Sequence, residues 1–206
     1  MILAIDTSGI LAVVAVADAD GVLVAGGVGT APRAHAEDVA VLVRAAVSGQ
    51  QVDRVVVGRG PGSFTGLRVG LAFGQMFAWA CRVPASGMSS LDVVAAQFDL
   101  VDGWAVTDAR RGELFAARYR DRRRIQRPVV LTRDQAGTDV ADERVVGDVA
   151  LLTSTERRQA GDTRLDPAAL ASAAATAVSI DPEGSLQPEY LRRPDVTMSA
   201  ANRGGA

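Results

Sequence analysis

The sequence predicts an α/β fold of two lobes, the second of which repeats the first in a truncated form. A short apolar strand ends at Asp6, a polar turn follows, and two more strands come next; the same order begins again with the strand that ends at Asp108. Self-similarity of this kind indicates an internal duplication. We therefore expect a first lobe at residues 1–98, a reduced second lobe at residues 99–197 and a disordered tail at residues 198–206.

The first lobe is predicted to open with three antiparallel strands. They are Ile2–Ile5, Leu11–Ala17 and Val22–Val28. Aspartate and glycine at residues 18–21 favour a hairpin loop between the second and third strands. The polar turn at residues 6–9 follows the first strand directly, which makes it a candidate functional turn.

Two apolar helices and a strand between them continue this lobe. The helices are expected at about Ala34–Val47 and Thr65–Cys81, and the β-branched run Val55–Val57 favours a buried strand. A turn rich in glycine and proline breaks that strand, and the hydroxyl of Ser63 or Thr65 is then expected to cap the second helix.

Small residues recur at every fourth position of the second helix, at Gly66, Gly70, Gly74 and Ala78, and so lie on one face. Each interior glycine costs about 1 kcal/mol of helix stability relative to alanine, so another backbone is expected to approach this stripe closely. Two hypotheses explain the stripe: it packs on the chain's own sheet, or it packs on a partner protein. Because the helix has few polar residues, a lone monomer is expected to solvate it poorly.

The remaining elements are predicted from shorter patterns. A brief strand is expected at Val83–Ala85, and Ser89 or Ser90 is expected to cap a third helix that ends near Gln97. The second lobe is expected to contain four strands or short runs and one alanine-rich helix, in this order: Trp104–Thr107, Glu113–Tyr119, Ile125–Leu131, Val145–Val146 and Pro167–Ala177.

Composition excludes several function classes. The net charge of −2 gives no general attraction to nucleic acid or membranes, and the lone Cys81 cannot form a disulfide framework or a cysteine metal cluster. The start of the sequence does not resemble a signal peptide, and no apolar stretch is long enough for a transmembrane helix. We expect a cytoplasmic protein that does not bind membranes.

Several motifs resemble those of a known family. The stretch GRGPGSFTGLRVG at Gly58–Gly70 is the most specific, and ILAIDTS, GMSSLDVVAAQ, TDARRGE and PEYLRRP accompany it. With these motifs the chain resembles the TsaB family of bacterial tRNA threonylcarbamoyladenosine biosynthesis proteins. The resemblance runs from Ile2 to about Pro194 and is weaker between Arg120 and Leu186. It implies a two-lobed actin-like ATPase (RNase H-like duplicated) fold.

The same resemblance implies a non-catalytic scaffold. In that family TsaD transfers a threonylcarbamoyl group to the adenosine beside the anticodon, TsaB holds TsaD in a working state, and the ATPase TsaE joins the complex. We accordingly expect a heterodimer with TsaD, a ternary complex with TsaE, a homodimer when the chain is alone, and tRNA contact only through the complex. No cofactor is expected on the chain alone; ATP or ADP at the interface with TsaD is the alternative.

The expected partner surface lies on the two apolar helices, which would form a four-helix seam with TsaD. Side chains and glycines of both helices make up this predicted interface, namely Val39, Leu42, Val43, Gly66, Arg68, Gly70, Gly74, Phe77 and Ala78. Nucleotide contact at the seam is expected from the acidic turn and the glycine turn, namely Asp6, Thr7, Ser8, Gly60, Gly62 and Ser63.

Alternative functions remain open at these turns. The resemblance puts Asp6 where kinases of the superfamily hold a Mg²⁺-bound water, with Asp108 as its counterpart, so the rival function is a small-molecule kinase or ATPase. The glycine turn lacks the Lys and Ser/Thr pair of a P-loop, and a simple turn followed by a helix cap explains it equally well. Arg122, Arg123 and Arg124 at a hairpin tip are candidates for tRNA phosphate contact, although a solvated turn explains the same cluster.

A metal site is not expected. The resemblance aligns the two metal-binding histidines of catalytic TsaD with Ser90 and Val94, neither of which suits a metal ion. The single histidine, His35, cannot build a His-x-x-x-His site and is expected to be a partly exposed structural residue. No set of residues supports a peptidase.

Overall fold

The computed structural model describes residues 1–32, 34–139, 143–149, 152, 158–160, 164–181 and 184–192. Within them the chain forms two mixed β-sheets with helices packed on their faces. The predicted tail, residues 198–206, lies outside the described residues. No helix in the described part of the chain combines the length and the apolar character needed to cross a membrane.

The first sheet has the strand order β3-β2-β1-β4-β5. Its strands are β1 (Ile2–Asp6), β2 (Val13–Ala17), β3 (Leu23–Val28), β4 (Arg54–Gly58) and β5 (Ala85–Met88). The strands β1, β2 and β3 pair antiparallel, whereas β4 pairs parallel with β1 and β5 pairs parallel with β4. The three antiparallel strands and the buried strand after them confirm the sequence prediction.

The second sheet repeats this arrangement. Its strands are β6 (Gly103–Arg110), β7 (Glu113–Arg120), β8 (Arg123–Arg124), β9 (Val129–Thr132), β10 (Val145–Gly147) and β11 (Arg158–Ala160). Around β6, the strands β7 and β9 take the places of β2 and β3, and β10 and β11 take those of β4 and β5, with the same parallel and antiparallel pairing. This correspondence confirms the predicted duplication, and the three-residue strands β10 and β11 make the second copy the reduced one.

The helices fill the space around and between the sheets. They are α1 (His35–Ala46), α2 (Phe64–Cys81), α3 (Ser90–Gln97), α4 (Arg133–Asp139) and α5 (Pro167–Ile180). Side chains alternate along β1, so that Leu3 and Ile5 pack with α1 and α2, and Ile2 and Ala4 pack with α3 and α5. The core around α3 and α5 also includes Ala105 of β6, so these two helices lie between the sheets.

Some predicted elements differ from those in the structure. The strand expected at Val83–Ala85 begins only at its last residue, because the Val83 N–H donates to the Ala78 carbonyl and closes the end of α2 (3.0 Å). The strand expected at Ile125–Leu131 begins only at Val129, as β9, since Pro128 before it has no N–H for a strand ladder; the two-residue β8 precedes the expected strand and was not predicted. The sequence analysis did not predict the short elements α4 and β11.

A terminal segment, residues 184–192, crosses from the first sheet to the second, and we call it the strap. Near its start it forms a backbone hydrogen bond with β5. The Glu189 N–H donates to the carbonyl of Arg59 (2.7 Å), and the guanidinium of Arg192 donates to the carbonyl of Ala109 (2.8 Å). These contacts pack the terminal segment against both sheets as far as residue 192.

Candidate functional site

The turn after β1 is built around a fully buried carboxylate, Asp6. One carboxylate oxygen accepts hydrogen bonds from the N–H and the hydroxyl of Ser8 (2.8 and 2.6 Å), and the other accepts one from the hydroxyl of Ser90 (2.6 Å). Burial raises the pKa of Asp6 above its usual value, although the bonds from Ser8 and Ser90 act in the opposite direction. A Cβ at Gly58 would collide with this carboxylate. The acid is therefore enclosed by its own chain.

Thr7 connects this turn to the glycine stripe of α2. Its hydroxyl donates to the carbonyl of Gly66 (2.7 Å) and accepts from the N–H of Gly70 (3.1 Å). A Cβ at Gly66 would collide with the Thr7 carbonyl, one at Gly70 with the Thr7 hydroxyl, and one at Gly74 with the side chain of Val57. The stripe thus packs on the chain's own first sheet, which was one of the two hypotheses for it.

Much of the predicted partner interface therefore faces inward. The following residues are buried in the chain's own core: Val39, Val43, Gly66, Gly70, Gly74 and Ala78. Their prediction as partner contacts is wrong, because the small and β-branched residues of α1 and α2 are the ones that fit against the sheet. Leu42 and Phe77 are half-buried, and Arg68 is exposed.

The opposite side of α1 and α2 is exposed and largely apolar, and we call it the outer face. It comprises Val41, Arg68, Ala72, Met76 and Trp79. Trp79 is 85% exposed, Met76 71% and Val41 58%. The sequence analysis missed these apolar residues, although the glycine positions contain the signal, since residues two positions from an inward glycine lie on the outward side of a helix.

The strap adds an aromatic group to one end of the outer face. The ring of Tyr190 lies 4.9 Å from that of Phe64, at the start of α2. The guanidinium of Arg68 lies 3.8 Å from the centre of the Phe64 ring and donates to the Tyr190 hydroxyl (3.2 Å). Sequence patterns could not predict this cluster, because it depends on where the strap crosses the fold.

The glycine turn before α2 is bonded to its neighbours. Ser63 caps the helix as predicted, its hydroxyl accepting from the Gly66 N–H (3.0 Å), and its own N–H donates to the Ser8 carbonyl (3.0 Å). The carbonyl of Gly60 accepts from the first N–H of α3 (2.7 Å), and a Cβ at Gly62 would lie 2.6 Å from Ser8. Turn geometry and helix capping account for these residues; their contact with nucleotide stays a prediction.

The positions aligned with metal-binding histidines do not fit a metal ion. The hydroxyl of Ser90 is bonded to Asp6, and Val94 is a buried apolar side chain. His35 is buried rather than partly exposed as expected, and its Nε2 lies 3.0 Å from the carbonyl of Gly9. The His35 ring is thus hydrogen-bonded to backbone, and among the described residues no serine or other nucleophile is paired with it.

The three hairpin arginines that are candidates for tRNA contact differ in their contacts with the rest of the chain. Arg122 is ion-paired with Asp99, while Arg124 donates from Nε to Asp92 (2.9 Å) and is only partly exposed. Arg124 is therefore poorly placed for a phosphate, because its guanidinium is already paired with a carboxylate. Arg123 is exposed, and its contact with tRNA stays a prediction.

The second acidic corner, at the end of β6, is also bonded within the chain. The carboxylate of Asp108 accepts from the N–H of Arg110 (2.7 Å) and pairs with its guanidinium (3.2 Å). The N–H of Asp108 donates to the carboxylate of Asp148 (2.8 Å). The acids of the two equivalent corners thus both contact their own turns.

Comparison with known proteins agrees with this architecture. The family model for TsaD, tRNA N6-adenosine threonylcarbamoyltransferase, matches residues 12–143. A protein of Mycobacterium tuberculosis (strain ATCC 25618 / H37Rv) is 38% identical over 175 residues, which cover 79% of this chain and 77% of that protein. The tRNA threonylcarbamoyladenosine biosynthesis protein TsaB of Bacillus subtilis is 39% identical over 72 residues, which cover 34% of this chain and 31% of that protein.

The whole fold also matches a solved structure. YeaZ from Pseudomonas aeruginosa superimposes with a TM-score of 0.75 at 25% identity, and the match covers 92% of this chain and 99% of that one. The match includes both sheets, so the two-lobed actin-like arrangement applies to the chain as a whole. The chain therefore belongs to the family of tRNA threonylcarbamoyladenosine proteins represented by TsaD and TsaB.

Proposed function

We propose that this chain takes part in tRNA threonylcarbamoyladenosine biosynthesis as a catalytically silent scaffold that binds and activates TsaD. The observation that supports this most is the outer face of α1 and α2, an exposed apolar surface that the chain's own core leaves uncovered. Large apolar side chains exposed together on neighbouring helices favour a protein interaction site. Family membership supplies the identity of the partner.

The chemistry of the outer face suits a lasting contact between helices. Trp79 and Met76 are among the residue types that are enriched in interface cores, and Arg68 is of a type common in binding hot spots. Phe64 and Tyr190 extend the surface with two more rings. Two such helices packed on the matching helices of TsaD would form a four-helix seam.

The absence of catalysis is supported by the state of the acidic turn. Asp6 is buried and accepts hydrogen bonds from Ser8 and Ser90, so it has no exposed oxygen to hold a Mg²⁺-bound water. Ser90 and Val94 offer no metal ligand pair. No contact among the described residues favours the rival kinase or ATPase.

Other parts of the assembly follow from the same proposal. TsaE would join in a ternary complex, tRNA would be contacted only through the complex, and the chain alone would pair through its outer face as a homodimer. ATP or ADP would bind at the seam near Ser63 and the glycine turn. A cytoplasmic site of action follows from the tRNA substrate.

The outer face is tested by placing a charge in it. Met76→Glu should weaken binding to TsaD by roughly 30-fold or more, about 2 kcal/mol, because a carboxylate would have to lose its water in an apolar contact. Binding is measured by co-elution in size exclusion and by titration calorimetry with the TsaD of the same organism.

The matched control puts the same charge on a different exposed apolar site. Val22, 60% exposed beside β3, is not part of the outer face, and Val22→Glu should leave TsaD binding unchanged. If Met76→Glu and Val22→Glu both bind TsaD like the unchanged chain, the outer face is not the partner surface.

A further inference from the structure

A cavity of about 200 Å³ lies where the first sheet, α3, α5, the strap and β8 meet. Its wall contains two arginines, two aspartates and several small or apolar side chains, among them Arg59, Asp92, Arg124, Ala177, Ile180 and Asp181. Drug-sized pockets begin at roughly 300 Å³, so this one has room for a smaller molecule. It is separate from the outer face and from the Asp6 turn.

The backbone around Arg59 is held on both sides, so the residue has a fixed place in the wall of the cavity. Its N–H donates to the carbonyl of Met88 (2.9 Å), and its carbonyl accepts from Glu189 of the strap (2.7 Å). The side chain is mostly buried, 23% exposed, and passes close to Gly87, where a Cβ would lie 3.1 Å from the Arg59 Cδ.

The guanidinium of Arg59 lines the cavity without a hydrogen-bonded acceptor in the described part of the chain. Its nearest carboxylate oxygen, on Glu189, lies 3.6 Å from Nη2, beyond hydrogen-bond distance. A guanidinium carries five N–H donors in a fixed fork that fits a carboxylate. The ion pair with Glu189 leaves these N–H donors without an acceptor at hydrogen-bond distance, so a carboxylate inside the cavity is a suitable ligand for them.

The second arginine of the cavity, Arg124, already has a hydrogen-bonded carboxylate partner. Arg124 donates from Nε to one oxygen of Asp92 (2.9 Å), and that same carboxylate accepts from the Tyr119 hydroxyl (2.7 Å). The charges of Arg124 and Asp92 therefore neutralise each other. Arg59 has Glu189 as its ion-pair partner, but its N–H groups make no hydrogen bond to a carboxylate in the described part of the chain, and Asp181 lies at the exposed edge of the cavity.

Glu189 adds negative charge behind Arg59. One of its carboxylate oxygens is buried with no hydrogen-bond partner in the described part of the chain. Burial raises the pKa of Glu189, against the attraction of Arg59 and Arg124. A phosphate or a dicarboxylate would bring two more negative charges to this place, whereas a molecule with one charge of each sign leaves the balance unchanged.

We infer that this cavity binds a small zwitterion of the α-amino acid class. Its carboxylate group accepts hydrogen bonds from the N–H groups of Arg59, and its ammonium group is directed toward Asp181 at the edge. The hydrocarbon part lies against Ala177 and Ile180. The site uses residues outside the partner surface, so it does not depend on the scaffold role.

Binding is measured on the isolated full chain by ¹H–¹⁵N chemical-shift titration with each standard L-α-amino acid in turn. We expect at least one of them to shift signals of Arg59 and of α5 in a saturable manner. The two single-charge analogues of that amino acid, the amine without the carboxylate and the acid without the amine, should each bind at least about tenfold more weakly. Inorganic phosphate serves as the dianion probe and should not shift these signals.

Matched variants connect binding to the cavity. Arg59→Gln removes the cation and Ala177→Leu fills the space, and either should weaken binding at least about tenfold, while Arg123→Gln on the exposed hairpin should not. Thermal unfolding without ligand establishes that each variant is folded. The proposal is overturned if no amino acid shifts these signals, if a single-charge analogue or phosphate binds as well as the zwitterion, or if the folded Arg59→Gln and Ala177→Leu variants bind normally.

Discussion

At the scale of single residues, the most informative group is the buried carboxylate of Asp6. Its three hydrogen bonds come from Ser8 and Ser90, which are 2 and 84 residues away in the chain. The bond from Ser90 links α3 to the end of β1. The acid that the sequence analysis singled out as a candidate functional residue is thus part of the internal packing.

The raised pKa of Asp6 gives a pH-dependent stability. The folded state holds this proton more tightly than the unfolded state does, so stability should fall as pH rises from the ordinary value of 3.8 through the folded-state pKa, and be constant above it. Asp6→Asn removes this titration. As pH rises from 3.8 through the folded-state pKa, the unfolding free energy of the variant should therefore increase relative to that of the unchanged chain. Chemical denaturation over a pH series measures the difference.

The control for this experiment is an exposed aspartate in a hairpin loop. Asp20→Asn should track the unchanged chain at every pH. If the difference between Asp6→Asn and the unchanged chain does not vary with pH, or varies in the opposite direction, burial does not govern this carboxyl group.

At the scale of elements, α2 has two faces with different tasks. Its glycines lie against Thr7 and Val57, and Met76 and Trp79 point outward. The sequence identified the helix, its Ser63 cap and the close approach along the glycine stripe. The sequence could not show whether the stripe packs on the chain's own sheet or on a second protein, because small residues have the same spacing in both cases.

Because the glycine stripe faces inward, we can predict whether replacing one of its glycines by alanine stabilises or destabilises the chain. An exposed helical glycine replaced by alanine gains about 1 kcal/mol of stability. Gly70→Ala should instead destabilise the chain by roughly 1–3 kcal/mol, because the new methyl group would collide with the Thr7 hydroxyl. Urea unfolding of Gly70→Ala, Thr7→Ala and the double variant measures both the cost and its origin.

In this cycle the two substitutions should be coupled, since Thr7→Ala removes the atom that the new methyl group meets. A stabilised Gly70→Ala variant would mean that the glycine stripe is exposed. Additive effects would mean that Thr7 is not what confines it.

At the scale of the whole molecule, the duplicated sheets are held together by elements from distant parts of the chain. The helices α3 and α5 pack between the sheets, and the strap runs from β5 to the end of β6. The repeat of strand, aspartate and turn was enough to predict two lobes from sequence. The position of α5 against β1, β2 and β3 was not predictable, because an alanine-rich helix carries no pattern that selects one sheet over another.

The strap should open locally when its anchor is removed. Arg192 donates to the Ala109 carbonyl and is ion-paired with Glu113, so Arg192→Ala should lower local stability by about 1 kcal/mol. We expect faster hydrogen exchange at the Glu189 amide, which donates to the Arg59 carbonyl, while the amides of β1 are unaffected.

As the matched control, Arg123→Ala removes an exposed arginine from the hairpin. It should change neither the exchange rate of the Glu189 amide nor those of the β1 amides. Unchanged exchange at Glu189 in the Arg192→Ala variant would mean that the strap is held mainly by its contacts with the first sheet.

The hydrogen bond from the Ser90 hydroxyl to the Asp6 carboxylate makes a substitution at position 90 costly to the fold. A histidine at that position would remove a donor from an enclosed carboxylate, and Val94, one turn further on, would still present only carbon. A pair of metal ligands at positions 90 and 94 would therefore cost folding stability before it could hold an ion. The identity of residue 90 is thus constrained by the stability of the fold, because its hydroxyl joins α3 to the end of β1.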